Sequence, residues 1–332
     1  MFFYNPQPKL EIKLQDLINK FILEIKSNKN LSKYIKIFGI TGPAARSQAV
    51  YPYSDIDFYA ITNFISSKYE KILRNIFNNI FINLDIECSL LLVAPSIYYR
   101  PDLMFFEFNN SGIVYLGEKQ NKLSLDKIPN WEIFRLLTFR SNPFFSTFSL
   151  SNNKLIIKDI EKFYYYYSKL ILGISEAFLI LKNKYSADNF ERQKDIKSLE
   201  ISLQLKNEIE KAFLFRYKNY NYTETPEKLF ENAITFLKIV WDKLIIEYFK
   251  TDKKTALNKL KKINAPFPAI LYTRLFFMIN YYKYNNKIIF SIREPFIDEI
   301  FSTLEFLENP SENIRKKLVL YWKIAPRFWK KN

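Results

Sequence analysis

The chain has 332 residues, with 50 Lys and Arg against 34 Asp and Glu, a net charge of +16, one cysteine and no histidine. The lack of histidine excludes Ser-His-Asp and Cys-His catalysis and His-ligated zinc, so chemistry falls to carboxylates, Lys, Arg, Tyr, Ser and bound metal. The length points to two domains, the single Cys88 excludes an internal disulfide, and neither a spanning apolar run nor a signal-like start is seen, so a cytoplasmic protein without a transmembrane segment is expected.

Residues 9–29 place Leu10, Leu14, Leu17, Phe21 and Ile25 on one face, the pattern of an amphipathic helix. A buried strand follows at 35–41 (Ile37, Phe38, Ile40), then a turn rich in small residues (Gly42, Ala44, Ala45). A second strand at 55–62 is introduced by Ser54-Asp55-Ile56-Asp57. Residues two apart on a strand share a face, so Asp55 and Asp57 project together while Ile56 and Phe58 turn into the core. Adjacent carboxylates repel unless a cation sits between them, and Mg²⁺ takes carboxylates together with substrate phosphates. The bare pair is uninformative, because 34 acids predict roughly three such pairs by chance; its place after a glycine turn is what gives it meaning.

Spacing predicts a helix over 66–80 and a third strand over 81–93, on which Asp85 and Glu87 share a face. Residues 103–108 and 112–117 read as further strands, and 117–130 as a linker. From 131 the chain reads as helical, at 131–140, 154–184, 190–217, 226–250, 252–263, 268–283, 295–308 and 311–325. The tail, Ile314–Asn332, carries seven Lys or Arg and no acid, interleaved with Tyr321, Trp322, Phe328 and Trp329. That mixture suits single-stranded nucleic acid, or a last amphipathic helix docked on the body. The overall positive charge likewise suits nucleic acid, a membrane surface or a nucleotide triphosphate, and also follows from the composition of an A/T-rich genome.

The ordered pattern from Gly42 through Arg46 to Ser54-Asp55-Ile56-Asp57 resembles the signature of the nucleotidyltransferase superfamily, which includes polymerase beta and the aminoglycoside and minimal nucleotidyltransferases. The resemblance implies α/β plus α architecture: a polymerase beta-like catalytic domain of mixed sheet over 1–120, then an α-helical domain over 131–332 that presents the acceptor. It implies transfer of a nucleoside monophosphate, AMP first, from an NTP such as ATP to an acceptor hydroxyl, with Mg²⁺ or Mn²⁺ as cofactor. The acceptor stays open among a small molecule, RNA such as a tRNA end, and protein. In such families Asp55 and Asp57 hold metal, and a third acid on the next strand completes the set; Glu87 fits better than Asp85. Gly42, Ala44, Arg46, Ser47 and Ser54 then surround the nucleotide phosphates, joined by Lys169 from the helical domain after Tyr165 and Tyr166, with Lys184 and Arg192 weaker candidates. Two positions depart from the pattern. Pro43 stands where the family has a phosphate-binding serine and lacks a backbone N–H, and Ser47 stands where many members have glycine. A catalytically silent module that binds nucleotide or a partner is the reading those departures favour.

Overall fold

The structure, a computed structural model, describes residues 2–94, 102–119, 121–130, 132–151, 154–218, 220–252 and 255–256. The chain divides into two units: Met1–Pro129 with Asn183–Ser198, and Asn130–Lys182 with the described residues from Leu199 onward.

The first unit opens with α1 (Pro8–Ser27), whose proline falls in the first turn where no intrahelical N–H bond is lost. Asn28 caps α2 (Lys29–Tyr34) by accepting from the N–H groups of Asn30 and Leu31. There follow β1 (Ile35–Thr41), the single turn α3 (Gly42–Ala45), β2 (Ile56–Thr62), α4 (Ser67–Phe81), β3 (Cys88–Val93), α5 (Leu103–Ser111) and β4 (Ile113–Leu116). The strands form one mixed sheet in the order β3-β2-β1-β4. β2 and β3 run parallel, while β1 is antiparallel to both β2 and β4.

Strand alternation sorts the sheet into two faces. Phe38, Ile40, Ile56, Phe58 and Ala60 pack with Leu14, Ile18, Phe21 and Ile25 of α1 and Leu73 and Phe77 of α4. Phe21 lies at the centre, with ring centroids 4.9 Å from Phe38 and 5.5 Å from Phe77. Burying each such phenylalanine contributes about 2 kcal/mol. On the opposite face Ile37, Tyr59, Ile61 and Val93 pack with Phe105 and Phe108 of α5, Tyr59 stacking on Phe108 at 4.3 Å. Gly39 lets β4 approach: a Cβ there would lie 2.2 Å from the carbonyl oxygen of Ile113.

Two expectations in this unit are corrected. Residues 103–111 form a helix rather than a strand, because Asp102 caps it by accepting from Phe105 N–H and Leu103, Phe105, Phe106 and Phe108 all find buried positions. The third strand starts at Cys88 rather than 81, so Asp85 and Glu87 precede it.

In the second unit α6 (Glu132–Ser146) runs through Pro143, past the end expected at 140. A hairpin, β5 (Phe148–Ser151) and β6 (Lys154–Ile157), occupies the start of the expected 154–184 helix. The helix itself, α7 (Ile160–Leu181), begins where Asp159 accepts from Lys162 N–H. The single helix expected over 190–217 is two, α8 (Asn189–Ile196) in the first unit and α9 (Leu203–Tyr217) in the second, separated by the Ser202 cap. The last described helix, α10 (Pro226–Phe249), matches its expected span. Phe144 of α6 packs on Phe163 of α7 at 5.2 Å, and Phe134 on Trp241 of α10 at 5.2 Å. Beyond Ala256 the expected helices and the basic aromatic tail lie outside the described residues. Among the described residues no helix is long and apolar enough to cross a membrane. A mixed sheet with flanking helices, followed by helices, is the α/β plus α class.

Candidate functional site

Asp57 is the second residue of β2 and pairs with Thr41 on β1 and Ser89 on β3. The Ser89 hydroxyl donates to Asp57 Oδ1 at 2.9 Å. Asp55 lies just ahead of β2, half-buried. Ile56 N–H donates to Glu87 O at 2.9 Å, locking the heads of the two parallel strands. Since Ile56 is in register with Cys88, Asp55 and Glu87 fall abreast one residue upstream, on the face that carries Asp57 and Ser89. Glu87 and Asp85 are exposed.

Electrostatics at Cys88 records the same gathering of charge. Burial, reinforced by the carboxylates of Asp55, Asp57 and Glu87, pushes its thiol up to about 12. Cys88 is therefore a protonated thiol at neutral pH and neither a nucleophile nor a thiolate ligand.

The glycine turn is built against this acid. Gly42 has φ +70, and a Cβ there would lie 3.2 Å from Asp57 Oδ2. Ala44 is fully buried. Thr41 Oγ1 is enclosed without a hydrogen-bond partner among the described residues. Ser47 also has a positive φ, 58, and its N–H donates to Ala44 O at 3.3 Å. Ser54 is buried, its Oγ accepting from Val50 N–H at 2.9 Å and closing the loop ahead of Asp55.

Arg46 turns inward. Its Nη1 donates to Ser111 Oγ at 2.9 Å and stands 3.5 Å from Glu107 Oε2, with the side chain 7% exposed. Tyr185 Oη donates to Glu107 Oε1 at 2.6 Å. Arg192 Nη1 donates to Tyr185 Oη at 3.1 Å, its guanidinium over the same ring. Arg46 and Arg192 thus belong to one internal chain through Glu107. Beside it the buried Gln48 side chain donates to Asp188 Oδ2 at 2.7 Å and accepts from Asn189 N–H at 3.1 Å. Lys169 belongs to the second unit, where its Nζ lies over the Tyr165 and Tyr166 rings at 5.6 and 5.9 Å. Lys184 Nζ donates to Ser198 Oγ.

Among the described residues no three His, Cys, Asp or Glu side chains are grouped to hold a metal ion. What is present is a pair of carboxylates on one strand face, with a hydroxyl on one of them. These are hard oxygen donors, and Mg²⁺ is commonly held by one or two carboxylates with substrate phosphates and water completing its shell. Asp55 and Asp57 fit that mode. Thr41, Ser89 and Glu107 were not singled out by the sequence. Ser89 was within reach of period-two reasoning, standing two residues after Glu87, whereas Glu107 was hidden by the strand reading of 103–108. Comparison with protein-family models and with curated proteins finds no match for this chain.

Proposed function

We propose that this chain is a metal-dependent nucleotidyltransferase with a polymerase beta-like catalytic unit, moving AMP from ATP to an acceptor hydroxyl with release of pyrophosphate. The observation that carries the reading is the packing of the Gly42 turn against Asp57, two residues after Asp55 at the head of β2. A glycine there leaves open the space a side chain would fill, beside the carboxylate where a phosphate oxygen has to approach. Asp55 and Asp57 would hold Mg²⁺ or Mn²⁺, which when bound supplies Lewis acidity toward the triphosphate and lowers the pKa of the attacking hydroxyl. Ser89 fixes Asp57 by its hydrogen bond to Oδ1. Glu87, exposed just ahead of β3, would take the acceptor's proton. Arg46 is engaged by Glu107 and Ser111, so phosphate contact in this unit falls to the Gly42–Ser47 turn.

A second reading, a silent nucleotide-binding module, is favoured by Pro43 and by the lack of a three-acid group among the described residues. Incubation with α-phosphate-labelled ATP, GTP, CTP and UTP in Mg²⁺ or Mn²⁺, with RNA, protein or small metabolites added in turn, separates the two. Label entering one fraction with wild type, and none with Asp55→Asn/Asp57→Asn, is the expected result and names the acceptor class. Nucleotide binding without turnover by a folded wild type overturns the transferase reading in favour of the silent module.

A further inference from the structure

Arg216 lies in the last turn of α9, in the second unit. Its guanidinium stands over the rings of Tyr165 at 5.4 Å and Tyr217 at 5.6 Å. Its Nε is enclosed with no hydrogen-bond partner among the described residues, while the residue as a whole is half-buried, so part of the side chain stays open to a ligand. Among the described residues Arg216 makes neither a hydrogen bond nor an ion pair.

A guanidinium cannot shed its proton, and its five donors sit in a fixed fork. Enclosing such a group carries a desolvation cost, which two ring faces and the negative end of a helix offset without supplying the fork an acceptor. The carboxylate whose field reaches Arg216 is Glu176. Glu176 is already held by Arg140, whose Nε and Nη2 donate to its Oε2 at 3.1 and 2.9 Å. Arg140 itself opposes the charge on Arg216, so two guanidiniums share one carboxylate. Lys169 adds a third cation on the ring of Tyr165, again with no hydrogen bond or ion pair among the described residues. Arg216 and Lys169 bring positive charge to the Tyr165 ring with no acid paired to either among the described residues, and the guanidinium fork matches the tetrahedral oxygens of a phosphate.

We propose that Arg216, held between Tyr165 and Tyr217, anchors an anion-binding site of the second unit that takes a phosphate group, with Lys169 supplying further positive charge. The assignment rests on the second unit alone and stands or falls apart from the nucleotidyltransferase reading.

The test is calorimetric titration of the full chain at constant ionic strength with excess EDTA, which leaves the Asp55 and Asp57 pair without metal. Phosphate, pyrophosphate and ATP are the ligands, and acetate is the monoanion control. Saturable binding of phosphate or pyrophosphate, with none of acetate, is expected. If ATP binds but the inorganic anions do not, the ligand is recognised through its nucleoside and the proposal is overturned. Arg216→Gln should weaken pyrophosphate binding about tenfold or more, the loss that follows from removing hydrogen bonds to a charged group. Lys169→Gln should weaken it by a smaller factor. Circular dichroism checks each variant; if Arg216→Gln does not fold, Arg216→Lys, which keeps the charge and loses the fork, carries the test. Wild type that binds neither phosphate nor pyrophosphate, or an Arg216 variant that binds as tightly as wild type, overturns the site.

Discussion

The two units handle charge in opposite ways. In the second, each buried carboxylate among the described residues has a basic partner: Glu132 with Arg135, Glu176 with Arg140, and Glu208 with Lys211. What is left over is positive, on Arg216 and Lys169. In the first, the inward-facing base Arg46 is matched with Glu107, and the acids collect at the heads of β2 and β3. Neither Asp55 nor Glu87 has an ion-pair partner among the described residues. Carboxylates used for stability are buried and neutralised by the fold itself. Carboxylates left at strand ends without a basic partner keep their oxygens open to a cation from outside the fold.

Variants can break this contrast. The largest effect is expected from Glu208→Ala. Glu208 accepts from Tyr167 Oη at 2.9 Å and from Lys211 Nζ at 2.8 Å; Lys211 keeps its second partner, Glu224, so the loss falls mainly on the buried Tyr167 hydroxyl and should cost about 2–3 kcal/mol in denaturant unfolding. A cost near zero would mean that the second unit does not depend on its paired acids. Asp57→Asn should behave in the reverse manner, with stability changed by less than about 1 kcal/mol and metal-dependent transfer reduced by about 100-fold or more. Loss of activity accompanied by loss of fold would remove the distinction between the two kinds of acid.

Gly42→Ala tests the join between turn and acid. It places an L-residue at φ +70 with its Cβ 3.2 Å from Asp57 Oδ2, and should cost about 1–2 kcal/mol while weakening Mn²⁺ binding in a titration. Unchanged Mn²⁺ affinity would separate the glycine from the site. The smallest effect is at Cys88. Burial comes first among the causes that hold its thiol at about 12, and the carboxylates add to it. Asp55→Asn removes one of those charges, which favours the thiolate, lowers the thiol pKa and speeds alkylation at alkaline pH by a modest factor. An unchanged rate would place Asp55 too far away to belong to the cluster.

How much of this was legible follows from the physics of each segment. The shared face of Asp55 and Asp57 came from strand alternation, and α1, β1 and α4 from periodicity that the core later satisfied. Residues 103–111 misled because LMFFEF has a single polar residue, Glu107, among five apolar ones, too few to set a period; Asp102 as a cap was the signal that settles it. Of the β5–β6 pair, β6 was absorbed into the helix expected from 154. Glu107's partnership with Arg46 and Tyr185, and Gln48's with Asp188 and Asn189, join residues far apart in the chain, which no local pattern encodes. That is why Arg46 read as a phosphate ligand in the sequence and lies in an internal ion pair in the structure.

The return of Asn183–Ser198 to the first unit bears on how that unit comes into being. As the chain leaves the ribosome, the four-stranded sheet can pair long before α8 exists, but Gln48 and Glu107 must wait for Asp188, Asn189 and Tyr185 to be synthesised. In a nascent chain stopped at Pro129 the Gln48 amide has neither of these partners. The polar stretch at 117–130 looks like a natural place to cut, yet a gene trimmed there would not encode a complete first unit. Its last stitches are carried beyond α7, so the first unit is inherited whole only when the chain as far as Ser198 travels with it.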